Sequence, residues 1–339
     1  MDNLDRLPKA ELHVHLEGTL EPELAFALAA RNAISLPWPS PEALRAAYAF
    51  NDLPSFLAVY YGGMNVLRTE ADFYDLAMAY FRQAAADNIV YVEPFFDPQA
   101  HTRRGIPFEV VITGILRAQA DARQQLGVAS NLIMCFLRDE SAASAAEHLE
   151  LALPWLDHLI GVGLDSDEAG NPPRKFAAVF ARARALGLRL TMHCDVNQLD
   201  SVRHMRECLD LIGVDRIDHG VNALDDPALV PEIVRRGLAL TVCPVSNTFV
   251  VGHLTADAIR TLMDQGVRVT INSDDPAYFG AYLTGNFKAL RDQAGFEPAR
   301  IVRLARNAFE GAWLDDAERA AYLTRFDDYV ASNFAASAR

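Results

Sequence analysis

The stretch Ala10-Glu11-Leu12-His13-Val14-His15-Leu16 has the pattern of a short β-strand whose apolar residues are interrupted by two histidines. Side chains alternate along a strand, so we expect His13 and His15 to face the same way, about 7 Å apart. Two imidazoles that project from one strand can bind a single metal ion. The alternative is a pair of ordinary polar residues beside a loop, and the motif alone does not decide between the two.

Seven further runs of β-type residues follow this one, each separated from the next by a helical pattern. The eight runs cover residues 10–16, 89–96, 131–137, 159–165, 189–195, 216–219, 239–243 and 268–274. Alternating strands and helices imply parallel strands joined by crossovers, and eight such strands can close a barrel. An open doubly wound sheet is the structural rival, but it usually carries a glycine-rich phosphate loop after its first strand, and this sequence has none there. We therefore predict an α/β fold, a (β/α)8 TIM barrel.

The regular alternation is interrupted once, between residues 18 and 88. This interval contains helical patterns at 22–32, 41–50, 54–67 and 71–86, with a proline-rich break at 37–41. Three more helices are predicted after the last strand, at 286–295, 298–312 and 316–335. An insertion after the first strand would lie over the strand ends, where barrel active sites form. We expect extra helices after the first strand and at the C-terminus, within a single domain over residues 1–339.

Polar residues stand at the ends of several predicted strands. His193, His219 and the pair Asp274-Asp275 end the fifth, sixth and eighth runs. The carboxyl ends of barrel strands open onto one face, so these residues converge with the two histidines of the first strand. Three histidines and a carboxylate make a zinc set with room for a water molecule. Taken singly, His219 could instead bond a backbone carbonyl, and the two aspartates could cap the turn before a proline. Asp218 faces away from His219 in a regular strand, so we expect it to pack or to form a salt bridge outside the barrel.

Composition and charge exclude several classes of function. The chain has 339 residues and a formal net charge of −14, which disfavours nucleic acid and anionic membranes as partners. The first residues lack the basic-then-apolar order of a signal peptide, and no apolar run approaches the ~18 residues of a membrane span. The four cysteines are scattered along the sequence, a pattern typical of a cytoplasmic protein whose thiols stay reduced. We expect a cytoplasmic enzyme with a small-molecule substrate.

Motifs along the whole chain, in family order, resemble those of the adenosine/adenine deaminase family of the amidohydrolase superfamily. They lie at residues 8–19, 92–98, 216–220, 243–247 and 272–276. The resemblance implies a (β/α)8 barrel and one zinc ion. Its implied ligands are His13, His15, His193 and Asp274. It also implies that His219 positions and helps to deprotonate the attacking water, and that Asp275 hydrogen-bonds a ring nitrogen of a purine.

Residues 92–99 and 101–106 are similar to the adenine deaminase-like branch of the family. Adenosine deaminases usually carry an aspartate, which receives a ribose hydroxyl, where this chain has Glu17. The longer side chain of Glu17 would crowd that space, so we expect a substrate without ribose, such as adenine or a related 6-aminopurine. Ser166 is predicted as a further substrate-binding residue.

The chain departs from the family pattern after the third predicted histidine ligand. The family has a general-acid glutamate three residues after that histidine, whereas this chain reads His193-Cys194-Asp195-Val196. Asp195 could replace the glutamate if the loop is shifted by one residue, or it could only support the loop. Two alternative functions therefore stay open, namely a metal-dependent amidohydrolase with a different C–N substrate, or a catalytically impaired relative that binds purines.

Overall fold

The computed structural model describes residues 3–50, 52–194 and 199–334. Ten strands occur in these ranges, and every pairing between them is parallel. Their bounds are β1 Lys9–Glu11, β2 Ile89–Val92, β3 Phe95–Phe96, β4 Ala129–Ser130, β5 Leu132–Leu137, β6 Leu159–Asp165, β7 Arg189–Cys194, β8 Arg216–His219, β9 Ala239–Val242 and β10 Arg268–Ile271. Seven strands follow the order β10-β9-β8-β7-β6-β5-β3, and the other three follow β1-β2-β4.

The segment after β1 closes this arrangement into a ring. Asp274 N donates to His13 O at 3.1 Å and His15 N donates to Asp274 O at 2.9 Å, which joins the segment to the end of β10. On its other side, Phe95 N of β3 donates to Val14 O at 2.8 Å. The predicted (β/α)8 barrel is thus confirmed. The first predicted strand continues past β1 only as isolated bridges.

The second predicted strand is divided into β2 and β3 around Pro94. Proline has no amide hydrogen and cannot donate to the ladder, which explains the interruption. As a result, the two parts of the second predicted strand pair with different strands. β2 pairs with β1 and β4, whereas β3 pairs with β5.

Helices cover the outside of the ring and its carboxyl end. The insertion after the first strand contains Pro22–Arg31, Pro41–Ala46, Leu53–Gly63 and Glu70–Ala86, close to the predicted bounds. The C-terminal helices are Leu283–Asp292, Pro298–Gly311 and Asp316–Asn333. The remaining α-helices are Asn3–Arg6, Pro98–Thr102, Phe108–Leu126, Ala142–Leu151, Ala177–Ala185, Ser201–Arg206, Leu229–Arg236, Pro244–Val251, Ala256–Asp264 and Pro276–Phe279. A π-helix, Glu207–Ile212, continues Ser201–Arg206, and 3₁₀ turns occupy Glu17–Thr19, Met64–Val66, Leu153–His158, Pro173–Phe176 and Val221–Asp225.

The barrel and its helices share one large hydrophobic cluster, which extends from Leu4 to Phe326. A smaller cluster of Phe95, Ile133 and Cys135 lies on neighbouring strands. Among the described helices, none combines the length and the apolar character that a bilayer crossing requires.

Candidate active site

A cavity of about 640 Å³ opens at the carboxyl ends of the barrel strands. The inserted helix Leu53–Gly63 and the helix Pro244–Val251 contribute part of its wall. The side chains that reach it from strand ends are His15, Asp97, Asp165, Ser166, His193, His219, Asp274 and Asp275. This is the face of a barrel on which active sites are built.

The four predicted metal ligands converge beside this cavity. His13 Nε2 lies 3.1 Å from Asp274 Oδ1, and His15 Nε2 lies 3.4 Å from the same oxygen. His15 Nε2 is also 3.1 Å from His193 Nε2. All four side chains are buried. The structure therefore places ligand atoms of His13, His193, His219 and Asp274 within 4.8 Å of one another, and His15 contacts His193 and Asp274.

The spacing of these atoms fits a zinc ion. Zinc binds nitrogen and oxygen ligands at about 2.0–2.1 Å, and a tetrahedron with such bonds separates its ligand atoms by about 3.4 Å. The observed contacts of 3.1 and 3.4 Å lie close to that separation. Three nitrogens and one oxygen also match the ligand types that zinc prefers.

Each histidine of the set presents Nε2 to the centre and Nδ1 to an outer partner. His13 Nδ1 lies 3.0 Å from Thr241 Oγ1, and His15 Nδ1 lies 3.4 Å from Asp165 Oδ2. His193 Nδ1 faces Asp218 Oδ2 at 3.5 Å. Such partners keep the proton on Nδ1 and leave the Nε2 lone pair for a metal.

Two of the converging residues have unusual backbone conformations. His219 has φ of 59° and Asp274 has φ of 66°, in the left-handed region that non-glycine residues rarely adopt. His219 Nε2 lies 3.8 Å from Asp274 Oδ2, and His219 Nδ1 bonds Asn247 Oδ1 at 3.0 Å. The left-handed turn directs His219 into the site, beside His13, His193 and Asp274.

The electrostatics of the site favour a positive charge at its centre. Burial opposes protonation of His15, but the carboxylates of Asp275, Asp274 and Asp165 outweigh it and raise the pKa of His15 well above its usual value. Burial lowers the pKa of His193 to about 3, despite the opposing effect of its carboxylate neighbour, so this imidazole is neutral. A neutral imidazole is the form that binds metal.

Asp275 faces the cavity beside the ligand set. Burial raises the pKa of Asp275 well above its usual range, and the charge of Asp274 adds to this shift. Gly18 packs against it so closely that a Cβ at position 18 would lie 2.0 Å from Asp275 Oδ1. Asp275 lines the cavity, and its Oδ1, the oxygen packed against Gly18, has no hydrogen-bond partner among the described residues.

Two further predicted site residues, Ser166 and Glu17, differ in whether they reach the cavity. Ser166 lines the cavity, where its hydroxyl contacts Tyr61 OH of the inserted helix at 2.9 Å. Glu17 does not reach the cavity, because its Oε1 accepts hydrogen bonds from His101 Nε2 and from Asp97 N. The expectation that Glu17 itself occupies substrate space is therefore corrected. Asp195 and Val196 lie outside the described residues.

Sequence reasoning missed three aspartates. Asp218 was expected to point outside the barrel, but it is fully buried beside His193 because the strand turns at His219. Asp165 and Asp97 were not singled out, although each ends a predicted strand run or directly follows one. A polar residue at a barrel strand end was the signal that could have identified both.

Comparisons with known proteins show the family and the fold of this chain. The family model described as adenosine deaminase matches residues 8–329. An adenine deaminase of Zymomonas mobilis is 52% identical over 328 residues, which cover 96% of this chain and 97% of that protein. The crystal structure of adenine deaminase from Arthrobacter aurescens is 42% identical, with a TM-score of 0.92 over 96% of this chain and 99% of that one.

A metal is present in one of the similar structures. An amidohydrolase from Burkholderia ambifaria with bound zinc is 26% identical, with a TM-score of 0.86. The match covers 98% of this chain and 94% of that one. A related protein with the same overall fold thus binds zinc.

Proposed function

The chain belongs to the adenosine deaminase family, and on that premise we propose that it is a zinc-dependent hydrolase that converts adenine to hypoxanthine and ammonia. The observation that carries the proposal is the convergence of His13, His193 and Asp274, with His15 Nε2 in contact with His193 and Asp274. The name of the Zymomonas relative, at 52% identity over almost the whole chain, supports adenine as the substrate. That name also favours adenine over the alternative of an amidohydrolase that cleaves a C–N bond in a different substrate.

A zinc ion held by His13, His15, His193 and Asp274 would supply an activated water molecule at neutral pH. His219 is the residue that we assign to orient this water and to accept its proton, since its Nε2 faces Asp274 beside the ligand set. The bond from His219 Nδ1 to Asn247 holds the ring in place. Attack at the amino-bearing carbon of the purine then leads to the loss of ammonia.

Two groups are assigned to the substrate side of the reaction. We assign Asp275 to a ring nitrogen of the purine, because its side chain lines the cavity beside the proposed metal ligands. Ser166 lies on the wall of the same cavity. We assign Asp195 as the acid that protonates the ring during attack, since Val196 has no exchangeable proton.

The proposal is tested by ammonia release from a panel of purines. Purified protein reconstituted with one equivalent of zinc should release ammonia from adenine at kcat/KM of about 10⁴ M⁻¹s⁻¹ or more. His219→Ala is the matched inactive control, because it leaves the four proposed ligands in place. The absence of ammonia from every 6-aminopurine, in protein with full metal content, would overturn the assignment.

A further inference from the structure

Arg138 is a fully buried arginine that directly follows strand β5. Its Nη1 donates to the backbone oxygen of His193 at 2.9 Å, and the same nitrogen lies 3.1 Å from Glu168 Oε2. Its Nε donates to the backbone oxygen of Asn171 at 2.9 Å. One guanidinium group therefore joins a proposed zinc ligand near the end of strand β7 to the segment that follows strand β6.

The segment that follows β6, residues 166–171, presents one side to the cavity and the other to this guanidinium. The residues of the segment that line the cavity are Ser166, Asp167, Ala169 and Gly170. Asn171 Nδ2 donates to Asp167 O at 3.0 Å and to Ala169 O at 3.2 Å, which folds the segment back on itself. Glu168 is fully buried, because its carboxylate turns inward to the guanidinium. The guanidinium is thus an internal support of the cavity wall.

The backbone oxygen of His193 lies beyond the reach of the strand ladder. Among the described residues, β7 pairs with β6 only at Arg189 and Leu190, which are the first residues of β7. Carbonyl groups alternate in direction along a strand. Cys194 O accepts from Gly220 N on the β8 side at 3.4 Å, so His193 O points to the β6 side, past the end of that ladder. The bond from the guanidinium takes the place of a ladder hydrogen bond there.

Stability alone does not account for a buried ion pair at this position. Apolar side chains of similar volume are often at least as stabilising as such a pair, because both charges lose their hydration. Apolar side chains could not donate hydrogen bonds, whereas a guanidinium carries five N–H donors in a rigid fork. Arg138 uses this fork to reach backbone oxygens in two separate segments of the chain, and Glu168 supplies the opposite charge that its burial requires.

We infer that Arg138 is a positioning residue for the active site. It ties the backbone of His193 to the cavity wall of residues 166–171, and thereby fixes the imidazole that the proposed zinc site uses. The inference rests on the proposed function, since the role is defined by the metal of that function. The outer partner of the ring, Asp218, constrains the rotation of the imidazole, whereas Arg138 constrains the backbone that carries it. The two contacts therefore act on the same ligand independently.

The test exchanges the ion pair for apolar side chains in the double variant Arg138→Met/Glu168→Leu. This exchange leaves neither charge of the pair behind, so the variant should fold with a melting temperature close to that of wild type. Loss of the bond to His193 O should weaken zinc binding by about 10- to 100-fold, measured as the zinc Kd by competition with a chromophoric chelator. With zinc at saturation, kcat for adenine should fall about 10-fold or more, because the ligand is then held off its native position.

Lys9→Met is the matched control, because it removes another fully buried cation, which donates to the backbone oxygens of Leu7 and Asp87 at the start of β1. Its zinc Kd should stay within about twofold of wild type. If the double variant does not fold, Arg138→Lys takes its place. It keeps the charge but cannot reach both backbone oxygens, so its zinc Kd should rise about tenfold.

The zinc Kd also separates this inference from the proposed reaction, because it needs no turnover. Wild-type protein that binds zinc but releases no ammonia from adenine overturns the reaction, whereas a raised zinc Kd in the double variant would still support the inference. An unchanged zinc Kd in the folded variant overturns the inference.

Discussion

Asp218→Asn tests whether the ligand histidines depend on their outer partners. Asp218 is fully buried and accepts hydrogen bonds from Thr191 Oγ1 at 2.7 Å and from Thr241 Oγ1 at 2.9 Å. Its Oδ2 faces His193 Nδ1 at 3.5 Å. Burial opposes ionisation of Asp218, but its hydrogen bond to His193 and the nearby positive charges hold its pKa well below the usual range. The group is therefore a carboxylate throughout the working pH range.

Asparagine preserves the shape of this side chain but not its acceptors. Its amide nitrogen must meet either a threonine hydroxyl or the Nδ1 proton of His193, so at least one of the three contacts of Asp218 is lost. Removing an outer partner of a metal-binding histidine typically weakens metal affinity by 10- to 100-fold, or about 1.4–2.7 kcal/mol. We expect a loss in this range for Asp218→Asn. The zinc Kd, measured by competition with a chromophoric chelator, reports it directly.

The control for this experiment is Asp72→Asn. Asp72 is equally buried and accepts from Arg68 N and Thr69 N, at the start of the helix Glu70–Ala86. It should lower the melting temperature without a change in zinc Kd. If folded Asp218→Asn binds zinc within about twofold of wild type, the orienting role that we give to the carboxylate is wrong.

Three other predictions follow from the same structure. His15→Ala should lose zinc to mild chelation, as elemental analysis after dialysis will show, and full retention of metal would remove His15 from the ligand set. Burial lowers the pKa of Lys9 to about 8, so between about pH 8 and 10.4 the unfolded chain binds the extra proton. The unfolding free energy of wild type should therefore rise relative to that of Lys9→Met by up to about 1.4 kcal/mol per pH unit in that window. If denaturant titrations give the same pH dependence of the unfolding free energy for the two proteins, this prediction is wrong. Asp195→Asn should lower kcat by at least about 10²-fold with unchanged zinc content, whereas a smaller loss would limit Asp195 to support of its loop.

Most of the fold was predictable because strand runs and helical patterns alternate along the chain. The same regularity placed His13, His15, His193, His219 and Asp274 on one face, since the carboxyl ends of parallel barrel strands meet there. These expectations depend only on where a strand ends and not on how its last side chain is turned. That is why the set of converging residues was recovered from sequence.

The parts that escaped prediction lie where the backbone leaves regular geometry. Strand alternation placed Asp218 outside the barrel, but His219 adopts a left-handed conformation, so neighbouring side chains can both serve the site. Glu17 lies in the 3₁₀ turn Glu17–Thr19, which no period-2 rule describes, and its carboxylate turns to His101. Rotations at single residues of this kind depend on tertiary contacts that the sequence pattern does not contain.

The excess of carboxyl groups at the strand ends connects stability with function. Asp165, Asp218 and Asp274 contact histidines of the ligand set, while Asp97 and Asp275 line the cavity. Buried carboxylates without compensating charge or hydrogen bonds are costly. A divalent cation would offset the charge of the first group. The same carboxylates that destabilise the metal-free protein would therefore favour a bound cation, because the ion removes a cost that the fold otherwise bears.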